Sequence, residues 1–162
     1  MTIKVGDRLP DATFKIMKDG QIADLTTQEL CAGKKVVLFA VPGAYTPTCH
    51  LKHVPSFLNN LEALRSKGVD TVACVAVNDP FVLDAWARDT GAAGKILMLS
   101  DGNGTFTRAI GMEFDGSALG LGIRSRRYAM LVEDGIVRVV NVEDSPGEMD
   151  KSSAERILAA LG

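Results

Sequence analysis

The part of the sequence best suited to chemistry is a short segment that ends in a cysteine and a histidine. Residues 42–50 read PGAYTPTCH and directly follow the apolar run over residues 36–41. Thr46 followed by Pro47 is typical of a helix N-cap and a first helical residue, which predicts that Cys49 lies in the first helical turn. The backbone N–H groups of that turn lack intrahelical partners and favour an anionic sulfur. Cys49 is therefore a candidate thiolate nucleophile.

A thiolate at this position needs a cation close by. Lowering a thiol pKa by two units takes about 2.7 kcal/mol, whereas a helix N-terminus supplies at most about 2 kcal/mol. The two histidines that follow Cys49 add little when neutral, so the stronger candidates are the arginines of residues 124–127, RSRR. If this segment is already extended, Arg124 and Arg126 share one face and Arg127 points to the other.

The two other cysteines, Cys31 and Cys74, exclude several classes of cysteine protein. The sequence contains no Cys-x-x-Cys pair, which excludes a zinc ribbon, a thioredoxin-type dithiol and a disulfide scaffold. Cys74 lies within an apolar run, where a small buried hydrophobe is expected, and Cys31 is expected to be a spectator. His50 and His53 could ligate a metal together with Cys49, but no fourth ligand is evident.

The composition bounds the class of protein further. The chain has 162 residues, of which 46% are apolar and 23% charged, so residues 1–162 are predicted to form one folded domain. Its 18 Lys and Arg against 20 Asp and Glu give a net charge of −2, which argues against nucleic-acid binding through a basic surface.

The densest apolar run is far shorter than the ~18 residues of a membrane span. Charged residues precede any apolar stretch at the N-terminus, so no signal peptide is expected and the predicted location is cytoplasmic.

Strand and helix patterns alternate through the middle of the chain. Runs rich in β-branched residues predict buried strands over residues 35–41 and 71–77. Between them, apolar residues recur at helical spacing over residues 54–64, and Lys67-Gly68 is expected to close that helix. This order predicts that the two strands pair in parallel.

A second helix is predicted to begin at Asp79-Pro80, where the aspartate is the N-cap and the proline the first helical residue. Its inward face is expected to contain Phe81, Ala85 and Trp86. Gly91 is expected to lie just beyond its end.

The C-terminal third predicts an antiparallel hairpin. Strands over residues 128–133 and 136–142 flank Asp134-Gly135, a typical two-residue hairpin turn, and Asp19-Gly20 indicates a weaker hairpin near the start. A terminal helix is predicted over residues 152–161. Together these elements predict an α/β fold of the thioredoxin-like kind, with a mixed central sheet flanked by helices and a C-terminal hairpin and helix.

The motif around Cys49 resembles the active-site signature of a known family. Residues 42–49 contain the pattern Pro-x-x-x-Thr-x-x-Cys of the peroxiredoxins, and the longer string over residues 41–49 is similar to the peroxiredoxin 5 subfamily, called type II in plants. Residues 51–55, 77–82 and 124–128 also resemble that subfamily at matching distances. The resemblance extends over residues 6–161, almost the whole chain.

The resemblance implies a thiol peroxidase that reduces hydrogen peroxide and alkyl hydroperoxides. Cys49 matches the peroxidatic cysteine, Thr46 the hydroxyl that hydrogen-bonds peroxide, and Pro42 the residue that shields the pocket. Arg127, directly before an aromatic residue, matches the catalytic arginine, which agrees with the cation that the thiolate needs. Arg124 is a candidate for a supporting role.

The resemblance also implies how the enzyme is recycled. Cys49 would become a sulfenic acid that a second thiol reduces, with glutathione and glutaredoxin, or thioredoxin, as the donor and no flavin, haem or metal required. Members with an intramolecular disulfide carry their second cysteine near the C-terminal helix, where residues 147–153 contain none. An external donor is therefore expected, and Cys74 stays open as a candidate resolving cysteine. A homodimer that pairs near the active-site loops is implied as well.

Two other functions compete with the peroxidase. A peroxide sensor that passes its oxidation to a partner protein would use the same residues. A cysteine phosphatase would need an arginine six residues after its nucleophile, and that position is Pro55. No His–acid relay for a hydrolase is apparent either.

Overall fold

The fold is known from a computed structural model, which describes residues 2–161. These residues form a seven-stranded sheet, a separate two-stranded sheet, six α-helices, one π-helical turn and one 3-10 turn. In chain order the elements are β1 Thr13–Lys18, β2 Gln21–Thr26, α1 Thr27–Cys31, β3 Lys35–Ala40, the π-helical turn Cys49–His53, α2 Val54–Leu58, α3 Leu61–Ser66, β4 Thr71–Ala76, α4 Pro80–Thr90, β5 Leu97–Ser100, α5 Thr105–Ala109, β6 Glu113–Asp115, the 3-10 turn Ser117–Leu119, β7 Ile123–Ser125, β8 Tyr128–Glu133, β9 Ile136–Val142 and α6 Ala154–Leu161.

The large sheet is mixed, with the order β2-β1-β5-β4-β3-β8-β9. Strand β3 pairs in parallel with β4 and antiparallel with β8, and β4 pairs in parallel with β5. The mixed α/β fold of the thioredoxin-like kind is thus confirmed. The register places Ala40, the last residue of β3, opposite Tyr128, the first residue of β8.

Each face of the sheet packs on its own apolar core. Side chains alternate along β3, so that Val37 and Phe39 join one cluster while Val36 and Leu38 join the other. Helices α2, α3, α4 and α6 cover the first cluster, and α1 and α5 cover the second. Cys49 belongs to the first cluster, so the functional segment is part of the core.

Both hairpins are confirmed. Asp19 and Gly20 connect β1 to β2 with φ angles of 53° and 78°, and Asp134 and Gly135 connect β8 to β9 with φ angles of 48° and 81°. Positive φ at both central positions is the type I′ geometry, which matches the twist of the flanking strands. The bounds of β8 and β9 are those predicted.

The single helix predicted over residues 54–64 is wrong, because the structure divides it into α2 and α3. The break falls at Asn59 and Asn60, residue types whose side chains compete with helical hydrogen bonds. The Asn60 carboxamide donates to the Ser56 carbonyl at 2.8 Å and so satisfies the end of α2. The second half ends as predicted at Lys67, with Gly68 at φ 89°.

Helix α4 begins and ends as predicted, but its predicted inward face is only partly correct. The Asp79 side chain accepts from Val82 N, and Gly91 adopts the left-handed C-cap conformation. The buried residues are Leu83, Trp86 and Ala87, whereas Phe81 is 61% exposed. Positions i, i+3 and i+4 share one helical face, and starting from Leu83 they select this set.

Other elements follow the predictions closely. Strands β3 and β4 each end one residue earlier than predicted, and α6 starts two residues later than predicted. Its inward residues Ala154 and Ile157 are buried, while Leu158 and Leu161 pack on the core from its edge. Across residues 2–161, the helices are all too short or too polar to span a bilayer.

Candidate active site

The loop that follows β3 is held in place by two contacts to its backbone. The Ala44 N–H donates to the Asn78 carboxamide at 2.9 Å, and the Arg124 guanidinium donates to the Pro42 carbonyl at 3.3 Å. A Cβ at Gly43 would lie only 2.6 Å from Arg124 Nη1. Gly43 is therefore the residue that lets the guanidinium lie directly over the loop.

Cys49 lies at the start of the helix that this loop leads into. Residues 47–48 are α-helical, and the π-helical turn begins at Cys49 itself. The Cys49 side chain is fully buried. The geometry agrees with a helix start at Pro47 and places the sulfur at the N-terminal end, close to the unpaired N–H groups.

Thr46 positions a hydroxyl beside the sulfur. Its Oγ1 lies 2.7 Å from Cys49 Sγ and 2.7 Å from the Gly43 carbonyl. The hydroxyl has one proton, so it can donate to Gly43 while accepting from a thiol, or donate to a thiolate. Thr46 can thus pair with either protonation state of Cys49.

Arg127 contributes a buried cation on the other side of the sulfur. It is only 2% exposed. Its Nη2 lies 2.9 Å from Cys49 Sγ. Its Nε and Nη2 also donate to the Pro146 carbonyl at 3.1 and 3.0 Å, and its Nη1 contacts His53 Nδ1 at 2.9 Å. The guanidinium is therefore held by two segments at once, the π-helical turn Cys49–His53 and the chain at Pro146.

The sheet register explains why Arg127 reaches Cys49. Because Ala40 pairs with Tyr128, the loop after β3 begins beside the residue that precedes β8. Strand β7 ends at Ser125, so the extended geometry assumed for residues 124–127 does not continue to β8. Arg126 is exposed, Arg124 is half-buried against the loop, and Arg127 turns inward.

His53 lies one π-helical turn after Cys49, inside the core. Its Nε2 contacts the Ser152 carbonyl at 3.0 Å, and its ring packs at 4.8 Å from the ring of Phe39. Burial, assisted by the charge of Arg127, lowers the pKa of His53 to about 3. The imidazole is therefore neutral at physiological pH, and it supplies no positive charge to Cys49.

Glu143 orders the segment that supplies the carbonyl groups of Pro146 and Ser152. Its Oε2 accepts from Asp150 N at 2.7 Å, from Ser152 N at 2.7 Å and from the Ser152 hydroxyl at 2.6 Å. Its own N–H donates to the Arg127 carbonyl at 2.9 Å. Burial of the carboxylate raises the pKa of Glu143. The hydrogen bonds from Ser152 and Asp150 outweigh this effect and hold that pKa below its usual value.

The structure brings together three of the predicted site residues, Cys49, Thr46 and Arg127. Pro42 is buried at the start of the loop. Arg124 contacts loop backbone, at Pro42 and at the Leu121 carbonyl 2.9 Å from its Nε, and not the sulfur. A supporting role for Arg124 would therefore be exerted through the loop.

The other two cysteines are buried away from solvent. Cys74 lies in β4 opposite Phe39, and burial raises the pKa of its thiol well above the usual value, with the sulfur of Cys49 acting in the same direction. Burial likewise raises the pKa of Cys31 to about 11. Both groups are protonated thiols at neutral pH. Within residues 2–161, the His, Cys, Asp and Glu side chains form no cluster that could hold a metal ion.

Sequence reasoning missed the residues that support Arg127. The carbonyl groups of Pro146 and Ser152 have no signature in the sequence, because every residue carries a carbonyl. Glu143 resembles an ordinary polar residue at a strand end. The signal that identifies His53 is its spacing of four residues from Cys49, which places both side chains on one side of a helix.

Comparisons with known proteins show which proteins this chain resembles. The Redoxin family profile matches residues 4–158. Peroxiredoxin-2E, chloroplastic, from Arabidopsis thaliana is 51% identical, covering 99% of this chain and 70% of that protein. The structure of reduced Prx3 in complex with hydrogen peroxide from Vibrio vulnificus is 46% identical with a TM-score of 0.94, covering 99% of this chain and 100% of that one. Peroxiredoxin 5 from Alvinella pompejana is 36% identical with a TM-score of 0.87, covering 98% and 97%.

The depressed pKa of His53 predicts a loss of stability in acid. The unfolded chain takes up a proton at His53 below pH 6.5, whereas the folded chain stays neutral there down to about pH 3. Between these values the free energy of unfolding should fall with pH by up to about 1.4 kcal/mol per unit from this group alone. Urea unfolding of the wild type and His53→Gln would measure it. From about pH 7 to about pH 5, the free energy of unfolding of the wild type should fall by about 2 kcal/mol relative to that of His53→Gln. A difference independent of pH would contradict the lowered pKa of His53.

Proposed function

The chain belongs to the Redoxin family and is a peroxiredoxin, a thiol peroxidase, and from this premise we propose that Cys49 reduces hydrogen peroxide and alkyl hydroperoxides. The observation that carries the proposal is the sulfur held between the Thr46 hydroxyl at 2.7 Å and Arg127 Nη2 at 2.9 Å. A hydroxyl and a guanidinium on either side of one thiolate can hold both the nucleophile and the oxygen that it attacks. The Vibrio vulnificus relative, solved with hydrogen peroxide, supports the same substrate here.

The reaction begins with the Cys49 thiolate attacking one oxygen of the peroxide. A sulfur–oxygen bond forms, the oxygen–oxygen bond breaks, and the leaving oxygen takes up a proton to become water or an alcohol. Cys49 is oxidised to a sulfenic acid. Negative charge moves from the sulfur to the leaving oxygen during this step, so groups that stabilise charge along that line lower the barrier.

Arg127 and Thr46 are the groups placed to do so. Four of the five N–H groups of Arg127 donate to Cys49, His53 and Pro146. Across residues 2–161, the second Nη1–H has no protein partner, which leaves it for a peroxide oxygen. Thr46 can turn its hydroxyl from the sulfur to the same substrate, and Pro42 keeps water out from the loop side.

Recycling uses a thiol from outside the chain. A donor thiol attacks the sulfenic sulfur, which releases water and leaves a mixed disulfide, and a second donor thiol then releases Cys49 as a disulfide forms between the donors. Cys74 is a poor alternative because its thiol is buried in β4 and protonated. Glutathione with glutaredoxin, or thioredoxin, supplies the two thiols.

Single cysteine variants test this scheme. Cys49→Ser should lose peroxide consumption with either donor system, because serine forms no thiolate. Cys74→Ser should keep a rate within about threefold of the wild type, because its thiol takes no part. Coupled assays with glutathione and glutaredoxin, and separately with thioredoxin, measure both. Loss of activity in Cys74→Ser would show an internal resolving thiol, and one slow oxidation without turnover would indicate a sensor.

The buried position of Cys49 requires the helix start to open during recycling. Cys49 is 0% exposed, so a donor thiol on another protein, which is far larger than a peroxide, cannot reach its sulfur in this conformation. The π-helical turn at Cys49–His53 is a rarely populated geometry that frequently marks functional sites. Local unwinding of this turn would expose the sulfur while leaving the sheet intact.

Amide hydrogen exchange can detect that unwinding. Residues 49–54 should exchange faster in the glutathione mixed disulfide of Cys74→Ser than in the reduced protein. The amides of β4 serve as the internal control and should keep their protection. Equal protection of residues 49–54 in both forms would contradict the opening.

A homodimer is proposed on the exposed apolar side chains around the site. Large apolar side chains left exposed near a functional site are candidates for an interface. Five of the large apolar residues that are exposed lie on the active-site loop, the π-helical turn, the first turn of α4 and the segment before β8: Tyr45, Leu51, Phe81, Leu119 and Ile123.

Sedimentation velocity of matched variants tests the dimer. Phe81 on α4 is 61% exposed and Ile22 on the edge strand β2 is 47% exposed. Phe81→Glu should dissociate the dimer, since it places a charge in the apolar contact, while Ile22→Glu should leave it intact. A monomeric wild type, or equal effects of the two variants, would contradict the proposed interface.

A further inference from the structure

His53 is joined to the site by both of its ring nitrogens. Nδ1 lies 2.9 Å from Arg127 Nη1, and Nε2 lies 3.0 Å from the Ser152 carbonyl. The ring is fully buried and packs against the rings of Phe39 and Phe57, with centroids 4.8 and 5.6 Å away. Its orientation is therefore set by packing as well as by hydrogen bonds.

These two partners determine which nitrogen of His53 carries the proton. A guanidinium can only donate, so Nδ1 facing Arg127 must be an unprotonated acceptor. A carbonyl can only accept, so Nε2 facing Ser152 must be protonated. Both contacts require the same neutral Nε2–H tautomer, and protonation of Nδ1 would place two donors against each other.

Apart from the bond from Nη2 to Cys49 itself, the remaining contacts of Arg127 leave its guanidinium free to tilt without His53. Nε and Nη2 both donate to one atom, the Pro146 carbonyl oxygen. Two bonds from one edge to a single acceptor form a pivot. The bond from Nη1 to His53 holds the opposite side of the plane, so that Nη2 faces Cys49.

We propose that His53 is a positioning residue for the peroxidase reaction: its Nδ1 lone pair orients Arg127 so that Nη2 faces the sulfur of Cys49 and the second Nη1–H faces the peroxide. This inference rests on the proposed function and adds to it the residue that aligns the cation. His53 acts through Arg127 and does not touch the sulfur or the substrate.

The same contacts exclude other roles for His53. Its one lone pair is directed at a cation, so it is not available to accept a proton from Cys49 or to ligate a metal. Its neutral state means that it adds no charge for the thiolate. The hydrogen-bond acceptor at Nδ1 is the property on which its role depends.

Two substitutions separate the two ring contacts. The carboxamide of His53→Asn reaches the position of Nδ1 and keeps an acceptor for Arg127, while the contact with Ser152 is lost. The carboxamide of His53→Gln reaches the position of Nε2 and keeps a donor for Ser152, while the acceptor for Arg127 is lost. His53→Asn leaves a smaller side chain in the core than His53→Gln, so lost packing alone would make the defect larger in His53→Asn.

The readout is the second-order rate constant for one turnover of the reduced protein with hydrogen peroxide. His53→Gln should lose about ten- to hundredfold, the scale expected when a catalytic group is misplaced by about 1 Å. His53→Asn should recover most of that loss. Equal losses in both variants, or no loss in His53→Gln, would overturn the positioning role. Urea unfolding of each variant shows whether both are folded in the assay.

Nitrogen-15 NMR of the wild type tests the tautomer independently of activity. Nδ1 of His53 should show the shift of an unprotonated ring nitrogen and Nε2 that of a protonated one from about pH 5 to about pH 8. An imidazolium, or the Nδ1–H tautomer, would overturn the inference even if a variant failed to fold. Failure of the wild type to consume peroxide through Cys49 would instead reject the proposed function, while the NMR result would still test the contact of His53 with Arg127.

Discussion

The structure of the site depends on one physical constraint, the burial of the positive charge of Arg127. Taking a guanidinium out of water costs several kcal/mol unless its N–H groups are paired and a negative charge lies close by. Arg127 is 2% exposed, and four of its N–H groups find acceptors inside the protein. One acceptor is the sulfur of Cys49, so the same contact that stabilises the buried cation also stabilises a thiolate.

The acceptors come from segments that the sheet brings to one place. Tyr128 pairs with Ala40 on one side and with Val142 on the other, so Arg127 lies between the end of β3 and the end of β9. The chain after Ala40 leads to the helix of Cys49 and His53. The chain after Val142 leads to Glu143, which holds the segment of Pro146 and Ser152 through hydrogen bonds of 2.6 to 2.7 Å. A chemically simple site thus depends on the register of three neighbouring strands.

Much of the fold could be predicted because its signals are local. Asp134-Gly135 and Asp19-Gly20 specify their turns through the φ angles that these residue types accept. Asp79-Pro80 specifies a helix start through a cap and a preset φ. The errors arose where packing decides. The inward face of α4 depends on which way the helix lies on the sheet, and Phe81 is exposed for that reason. At the break, Asn60 Nδ2 donates to the Ser56 carbonyl of α2 and also, at 3.2 Å, to the Glu155 carboxylate of α6, a partner that only the tertiary structure supplies.

By itself, the sequence determined the reagent and its immediate surroundings. Thr46, Pro47 and Cys49 lie within one helical turn, and their residue types indicate a cap, a helix start and a nucleophile without reference to the rest of the chain. The electrostatic need for a cation indicated the arginines of residues 124–127, and the family resemblance selected Arg127 among them. Only the tertiary structure decided how that cation is held. Backbone carbonyl groups carry no mark of residue type, and the tautomer of His53 depends on partners 74 and 99 positions away, so both become defined only when the strands are in register.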